Sequence, residues 1–271
     1  QALSPPPCII VQPVTVNRTG LFVSGWTLFM FGELLAPHYL HWLLDGFVLT
    51  LILSLLTCLF ATGLGFLLCL ARLSSSRLWS WPARAYLSLF RNTPLLVQLF
   101  FWYFGVTAML PEVWVMWLNQ PRSLSLGFFE LQWPSFEFIA GFWGLMLYTA
   151  AFICEEFRAG VSSVRIEQRA AGLALGFTTA QVWRYIVFPQ AIRTALGPLL
   201  GQYMNALKNS SLTMAIGLAE LSYASRQVET ETFKTFQAFG FATLLYVASI
   251  ALIEVIGQWM ARSKWYKQGV V

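Results

Sequence analysis

Charge is what this sequence has least of. Asp, Glu, Lys and Arg make up only 11% of its 271 residues, against 57% hydrophobic and 16% aromatic. The mean hydropathy is +0.63, outside the range of an ordinary soluble domain, so the chain reads as a membrane protein. The net charge of +5 comes from basic residues lying between apolar segments. They do not share a periodic polar face with stacking aromatics, which argues against nucleic acid as a partner. Cysteine is also scarce: Cys8, Cys58, Cys69 and Cys154 show no metal or redox spacing, and three fall in apolar runs as small core residues. His38 and His41 stand three apart with no third ligand around them, so no metal site is expected. A G-x-x-x-x-G-K-[ST] phosphate loop is missing, as is any His, Cys or carboxylate constellation with catalytic spacing. The chain is therefore not expected to bind ATP itself or to carry a catalytic residue. No signal-peptide pattern is visible, and Gln1 in place of Met reads as a processed or incomplete N-terminus.

What is present is a series of apolar segments. Residues 47–70 contain no charge and suffice to cross a hydrocarbon core of about 30 Å. Further spans are expected at 84–106, interrupted by Arg91 and Pro94; at 137–157, ending in Glu155 and Glu156; and at 238–260, with Glu254 alone. The fourth in order, 194–216, is the weak one, holding Gly197, Pro198, Gly201, Lys208 and Asn209. Helices broken in this way survive in membranes only where protein or a wet cavity satisfies the freed backbone groups. Five spans put the termini on opposite sides. Arg72, Arg77, Arg84, Arg158, Arg165, Arg169, Arg184, Arg193, Arg262, Lys264 and Lys267 would face the cytoplasm, placing the N-terminus outside. The segment 21–43, apolar but broken by Glu33 and Pro37, reads either as an interfacial helix or as one more span. The expected organisation is an external or interfacial segment 1–46, a transmembrane unit 47–260 with a cytoplasmic loop at 159–192, and a tail 261–271.

That loop carries helix signals. Ala170, Ala171, Gly172 and Ala174 make a short helix with a thin face, and Gly176 supplies a left-handed stop. Thr178, three before Gln181, forms a capping box opening a second helix, with Val182 and Ile186 on one face and Pro189 ending it. The pair offers a small apolar surface either to a cytoplasmic partner or to the chain's own spans.

The loop resembles that of importer permeases of the ABC transporter class, whose pattern is Glu-Ala-Ala, three residues, Gly, nine residues, Ile, one residue, Leu-Pro. Ala170, Ala171 and Gly172 fill the first three places, Gly176 the glycine, Ile186 the isoleucine and Phe188-Pro189 the ending. Ala170 replaces the glutamate, Gly172 an alanine and Phe188 a leucine, which leaves shape complementarity as the main coupling device. "LFRNTPLLVQLFFWYFG" (89–105) and "LKNSSLTMAIGLAEL" (207–221) are similar to segments of polar amino acid permeases, in the glutamate/aspartate and general amino acid branch. The resemblance covers about residues 40–260, and the first 38 residues have no counterpart. It implies an all-α, five-helix permease of the type I ABC importer fold in the bacterial inner (cytoplasmic) membrane. Its implied partners are a second permease or an identical copy, two cytoplasmic ATPase subunits that bind ATP and Mg, an external solute-binding protein and an amino acid substrate. Residues 163–189 would be where the ATPases dock.

The polar residues inside the spans are the candidate machinery. Lys208 lies 15 residues beyond Arg193, about 22 Å along a helix, where a charge costs at least a few kcal/mol without a cavity or partner. With Asn209, Ser210 and Ser211 it offers donors for a substrate carboxylate. The other reading is that Lys208 snorkels outward or pairs with Glu220. Arg91 and Glu155 fall at similar depth and are expected to pair, either as an inner gate or as a static buried pair. Gln98, with Asn92 and Thr93, extends the polar lining. A secondary transporter driven by an ion gradient is the alternative, although neither inverted repeats nor midplane carboxylates are found.

Overall fold

The computed structural model describes residues 35–120, 123–125, 130–132 and 134–262. Most of the segment 21–43 and most of the tail 261–271 lie outside these residues. Among the described residues the framework is helical, with one addition to the all-α expectation: a small antiparallel hairpin, Ser123–Ser125 with Glu130–Gln132, Leu124 opposite Leu131.

Helix α1 (Pro37–Leu73) opens with proline in its first turn, where a missing N–H costs nothing, and closes on Arg72, whose charge suits the negative helix end. At 37 residues it is about 55 Å long, well beyond a hydrocarbon core. One stripe of it is buried, Leu43, Gly46, Thr50, Leu53, Thr57, Ala61, Gly65 and Cys69, while Val48, Leu55, Leu59 and Leu67 face outward. Small residues on that stripe let α1 approach α5 (Phe136–Ser163) closely, and van der Waals contact of this kind is what holds helices together in lipid. Ser135 caps α5, its hydroxyl accepting the Phe138 N–H at 3.3 Å.

The expected span 84–106 is two helices. α2 (Arg77–Asn92) and α3 (Leu95–Met109, widened through a π turn at Phe101–Gly105) are separated by extended backbone at Thr93 and Pro94. Proline clashes with a helical residue before it, so the chain leaves the helix at Thr93. Gln98 then staples the break. Its Nε2 lies 3.0 Å from the Phe90 carbonyl, 3.1 Å from the Thr93 carbonyl and 2.7 Å from the Thr93 hydroxyl. A short helix α4 (Glu112–Asn119) precedes the hairpin.

After α5 come α6 (Ile166–Ala174) and α7 (Thr179–Val182), then a π turn at Trp183–Val187 that runs on into α8 (Phe188–Asn209). Pro189 therefore does not end a helix, as its position suggested. It sits in the first turn of α8, where no intrahelical N–H is needed, and the widened turn before it absorbs the ring. The helix also continues past Gly197 and Pro198; its break comes at Ser210–Ile216, a 3₁₀ segment ended by Gly217 at φ +88°. α9 (Leu221–Thr232) and α10 (Thr235–Arg262) complete the described residues.

By length and composition alone, three helices among the described residues can cross a membrane: Pro37–Leu73, Phe136–Ser163 and Thr235–Met260, with Leu95–Met109 a shorter apolar one. The interior is a series of small clusters. Leu53, Leu99, Leu145 and Ile216 form one; Leu43, Leu221, Val228 and Ala238 another; Ala61, Met146, Ile153 and Leu199 a third.

Candidate transport path and coupling surface

Helix α8 carries a face of small and polar residues. Thr194, Gly197, Pro198, Asn205 and Lys208 are exposed and Gly201 is half-buried, at three- and four-residue intervals. This is a single stripe about 21 Å long. A Cβ built on Gly197 or Gly201 would meet nothing within 4 Å. Asn205 and Lys208 make no hydrogen bond or ion pair among the described residues. Left in lipid, an amide and an ammonium cost several kcal/mol, so this face belongs against protein or water.

The four residues of "KNSS" are not equivalent. Lys208 projects from the last turn of α8, where the helix dipole favours a cation, and Asn209 is half-buried beside it. Ser210 is fully buried and donates to the Leu207 carbonyl at 2.7 Å; Ser211 donates to the Lys208 carbonyl at 2.7 Å, and Thr213 to the Ser210 carbonyl at 2.6 Å. These hydroxyls satisfy carbonyls released where the α-helix tightens into 3₁₀ geometry. The donors expected for a carboxylate thus divide: Lys208 and Asn209 are available, whereas Ser210 and Ser211 hold the break. Gln98 belongs with the serines, buried and engaged at the α2–α3 break.

Glu220 is not the partner of Lys208. It is fully buried and caps α9, Oε1 accepting the Tyr223 N–H at 3.0 Å. Its Oε2 accepts from the Tyr246 hydroxyl at 2.8 Å and lies 3.3 Å from the Thr50 hydroxyl, which itself accepts the Leu221 N–H at 3.1 Å. One carboxylate thereby ties α1, α9 and α10 together. An acid directly before a helix start is an N-cap signal that the sequence did contain.

Arg91 and Glu155 do pair, at 3.0 Å, but not alone. Arg72 also bonds Oε1, and the Arg158 Nε donates to Oε2 at 2.8 Å. Three guanidiniums share one carboxylate at the junction of α1, α2 and α5. The neighbouring Glu156 points the other way and accepts from Gln202 of α8 at 2.9 Å.

The loop helices assemble as their local signals direct. Thr178 and Gln181 form the complete capping box, and Gly176 adopts φ +86°, a conformation costly for any residue with a Cβ. Gly172 is buried against the second helix, so close that a Cβ there would lie 2.6 Å from Ile186 Cδ1 and 3.1 Å from Val182 Cγ2. Val161, Val164, Val182, Val187 and Ala191 close a core beneath. Ala170 and Ala171 stay exposed, and around them Ile166, Leu173, Leu175, Phe177 and Tyr185 are exposed too. An apolar patch of this kind marks a contact surface.

Comparison with known proteins follows the same lines. Residues 61–265 match the family model described as binding-protein-dependent transport system inner membrane component. The glutamate/aspartate import permease protein GltJ of Escherichia coli (strain K12) is 32% identical over 236 residues, covering 86% of this chain and 91% of the relative. A probable glutamine ABC transporter permease protein, GlnM of Bacillus subtilis (strain 168), is 33% identical over 204 residues, covering 75% and 84%. Among solved structures, an amino acid ABC transporter with histidines superposes with a TM-score of 0.70 at 26% identity, covering 83% of this chain and 95% of that one. The MetNI methionine ABC transporter, at 18% identity and a TM-score of 0.63, shares the fold.

Proposed function

Because the chain belongs to the binding-protein-dependent transport system inner membrane components and is an amino acid ABC transporter permease, we propose that it forms half of a translocation path for polar, chiefly acidic, amino acids. The observation that carries this is the α8 face, on which Asn205 and Lys208 make no hydrogen bond or ion pair among the described residues and Gly197 and Gly201 leave open space beside them. A second permease, a paralogue or an identical copy, covers that face and encloses the path. Lys208 then meets the substrate carboxylate in a low-dielectric setting, with Asn209 beside it. The similarity to GltJ supports an acidic substrate, and a cation serves an amino acid with two carboxylates better than one with a single carboxylate.

The membrane is the bacterial inner membrane. α1, α3, α5, α8 with its 3₁₀ extension, and α10 are the five spans, with the N-terminal side outside and the C-terminus in the cytoplasm. Two ATPase subunits, which bind the ATP and Mg, dock on the exposed patch around Ala170, Ala171, Leu173 and Phe177, and an external binding protein delivers substrate. The core under the patch runs from Val161 on α5 to Ala191 on α8, so a displacement of the loop reaches α8 through packed side chains. For Arg91 and Glu155 we favour the static reading over the gate. Glu155 keeps two other arginines when Arg91 leaves, and Glu156, not Glu155, faces α8.

The test is uptake into proteoliposomes holding this permease with its permease partner, ATPase and binding protein, comparing glutamate, aspartate, glutamine and arginine. ATP-dependent uptake of the acidic pair supports the reading. Uptake that follows an ion gradient without ATP overturns it in favour of a secondary transporter.

A further inference from the structure

The cluster on Glu155 is not charge-balanced. Three arginines face one carboxylate, leaving a surplus of two positive charges. Glu155 is nearly buried, at 15% side-chain exposure, whereas Arg91 and Arg158 keep 42% and 41% open. The guanidinium of Arg91 also lies 5.7 Å over the Phe152 ring, which fixes its direction without neutralising it. Among the described residues no other acid pairs with the cluster: Glu156, the one beside it in the chain, is turned to Gln202. Beneath it the junction is apolar, packed with Cys69, Leu87, Ala151 and Cys154.

Helix α2 extends the same charge. It contains no Asp or Glu, and Arg77, Trp81, Arg84, Ser88 and Arg91 follow one another at three- and four-residue intervals along one exposed stripe. That stripe lies beside the buried one of Ser80, Ala83 and Leu87. Trp79 and Trp81 are exposed at 64% and 73%. Cationic residues with exposed tryptophans on a strongly amphipathic helix are the composition of an element lying at a bilayer interface. A surplus of charge held beside an apolar junction there attracts an anion, and the nearest supply is the headgroup layer.

We propose that Arg91 and Arg158, with Arg84 alongside, bind the phosphate of an anionic phospholipid headgroup in the inner leaflet. The placement in that leaflet rests on the orientation argued above; the binding itself rests on the cluster. Arg72 and Glu155 orient the site, and the lipid supplies the missing negative charge.

The experiment is lipid retention by the purified membrane complex, exchanged into nanodiscs of phosphatidylglycerol and phosphatidylcholine and read by native mass spectrometry. Phosphatidylglycerol should be retained preferentially. Each arginine lost should weaken retention about fivefold, so that Arg91→Gln with Arg158→Gln lowers it about twenty-fivefold. Arg91→Lys keeps most of the preference, because charge dominates. Arg84→Gln leaves the Glu155 cluster intact, so its expected fivefold loss is informative even if the double variant fails to fold. Equal retention of the two lipids, or unchanged retention in Arg84→Gln together with the double variant, overturns the proposal. So does displacement of phosphatidylglycerol by millimolar inorganic phosphate, which assigns a soluble anion instead. None of these readouts requires transport, so a chain that retains the lipid but imports nothing under ATP refutes the transport reading and leaves this one standing.

Discussion

Gly160 joins the end of α5 to the start of α8, immediately before the loop helices, and replacing it with alanine should uncouple the two. A Cβ at this position would sit 2.4 Å from the Ala191 carbonyl oxygen and 3.2 Å from Ala195 Cβ. Close carbon–oxygen contacts in proteins begin near 3.3 Å, so the helices must separate by about 0.9 Å. The obstacle is backbone and no rotamer relieves it, which places the cost at the upper end of overpacking, about 3 kcal/mol. Alanine recovers about 1 kcal/mol of helix propensity. The net loss is about 2 kcal/mol, roughly a thirtyfold shift in the folded-to-unfolded ratio. The assay is the thermal midpoint of the assembled complex in detergent, with Gly63→Ala as control, since a Cβ on Gly63 meets nothing within 4 Å. Gly63→Ala should be as stable as the parent or more so, and Gly160→Ala should melt several degrees lower with reduced ATP-driven uptake. Identical midpoints for the two variants would refute the claim that the α5–α8 contact is close and that it transmits loop movement.

Lys208→Ala should reduce substrate-stimulated ATP hydrolysis about tenfold, the scale of one charge-assisted hydrogen bond, and leave basal hydrolysis nearly intact; equal loss of both would make Lys208 structural. Glu220→Ala removes the acceptor of the half-buried Tyr223 N–H and leaves the Tyr246 hydroxyl only its 3.2 Å contact with the Ser222 hydroxyl; it should cost about 2 kcal/mol, with Glu220→Gln recovering part of it, as read from thermal midpoints. If the two variants melt together, the carboxylate's acceptor role is wrong. Thr178→Ala removes the capping box and should raise amide exchange over residues 179–187 by an amount near 1 kcal/mol; unchanged exchange would mean that tertiary contacts alone hold that helix. Ala171→Trp should abolish co-purification of the ATPase without affecting membrane insertion, and retained binding would sink the docking assignment.

Features governed by neighbours along the chain were legible in the sequence. Apolar runs gave the membrane class, Thr178 and Gln181 the capping box, Gly176 the left-handed turn, and equal depth paired Arg91 with Glu155. The motif spacing over 170–189 reached the family from the same local information. Where two local signals competed, the reading failed. Pro189 reads locally as a stop and Pro198 as one of the residues that weaken the span 194–216, yet the first falls where a helix needs no N–H and the second is carried inside a helix held by its neighbours.

The tertiary structure alone decided what shares a site. Glu155 meets Arg72 from 83 residues away, and Glu220 meets Thr50 from 170 residues away. No periodicity encodes such pairs, because they depend on the angle and height at which α1 crosses α5 and α9. The same crossings decided that Ser210, Ser211 and Gln98 hold helix breaks while Lys208 and Asn205 remain on an uncovered face. Composition and spacing fixed which residues are polar within the membrane. Packing fixed which of them still have a hydrogen bond to give, since a donor already satisfied by a nearby carbonyl gains nothing from a passing substrate.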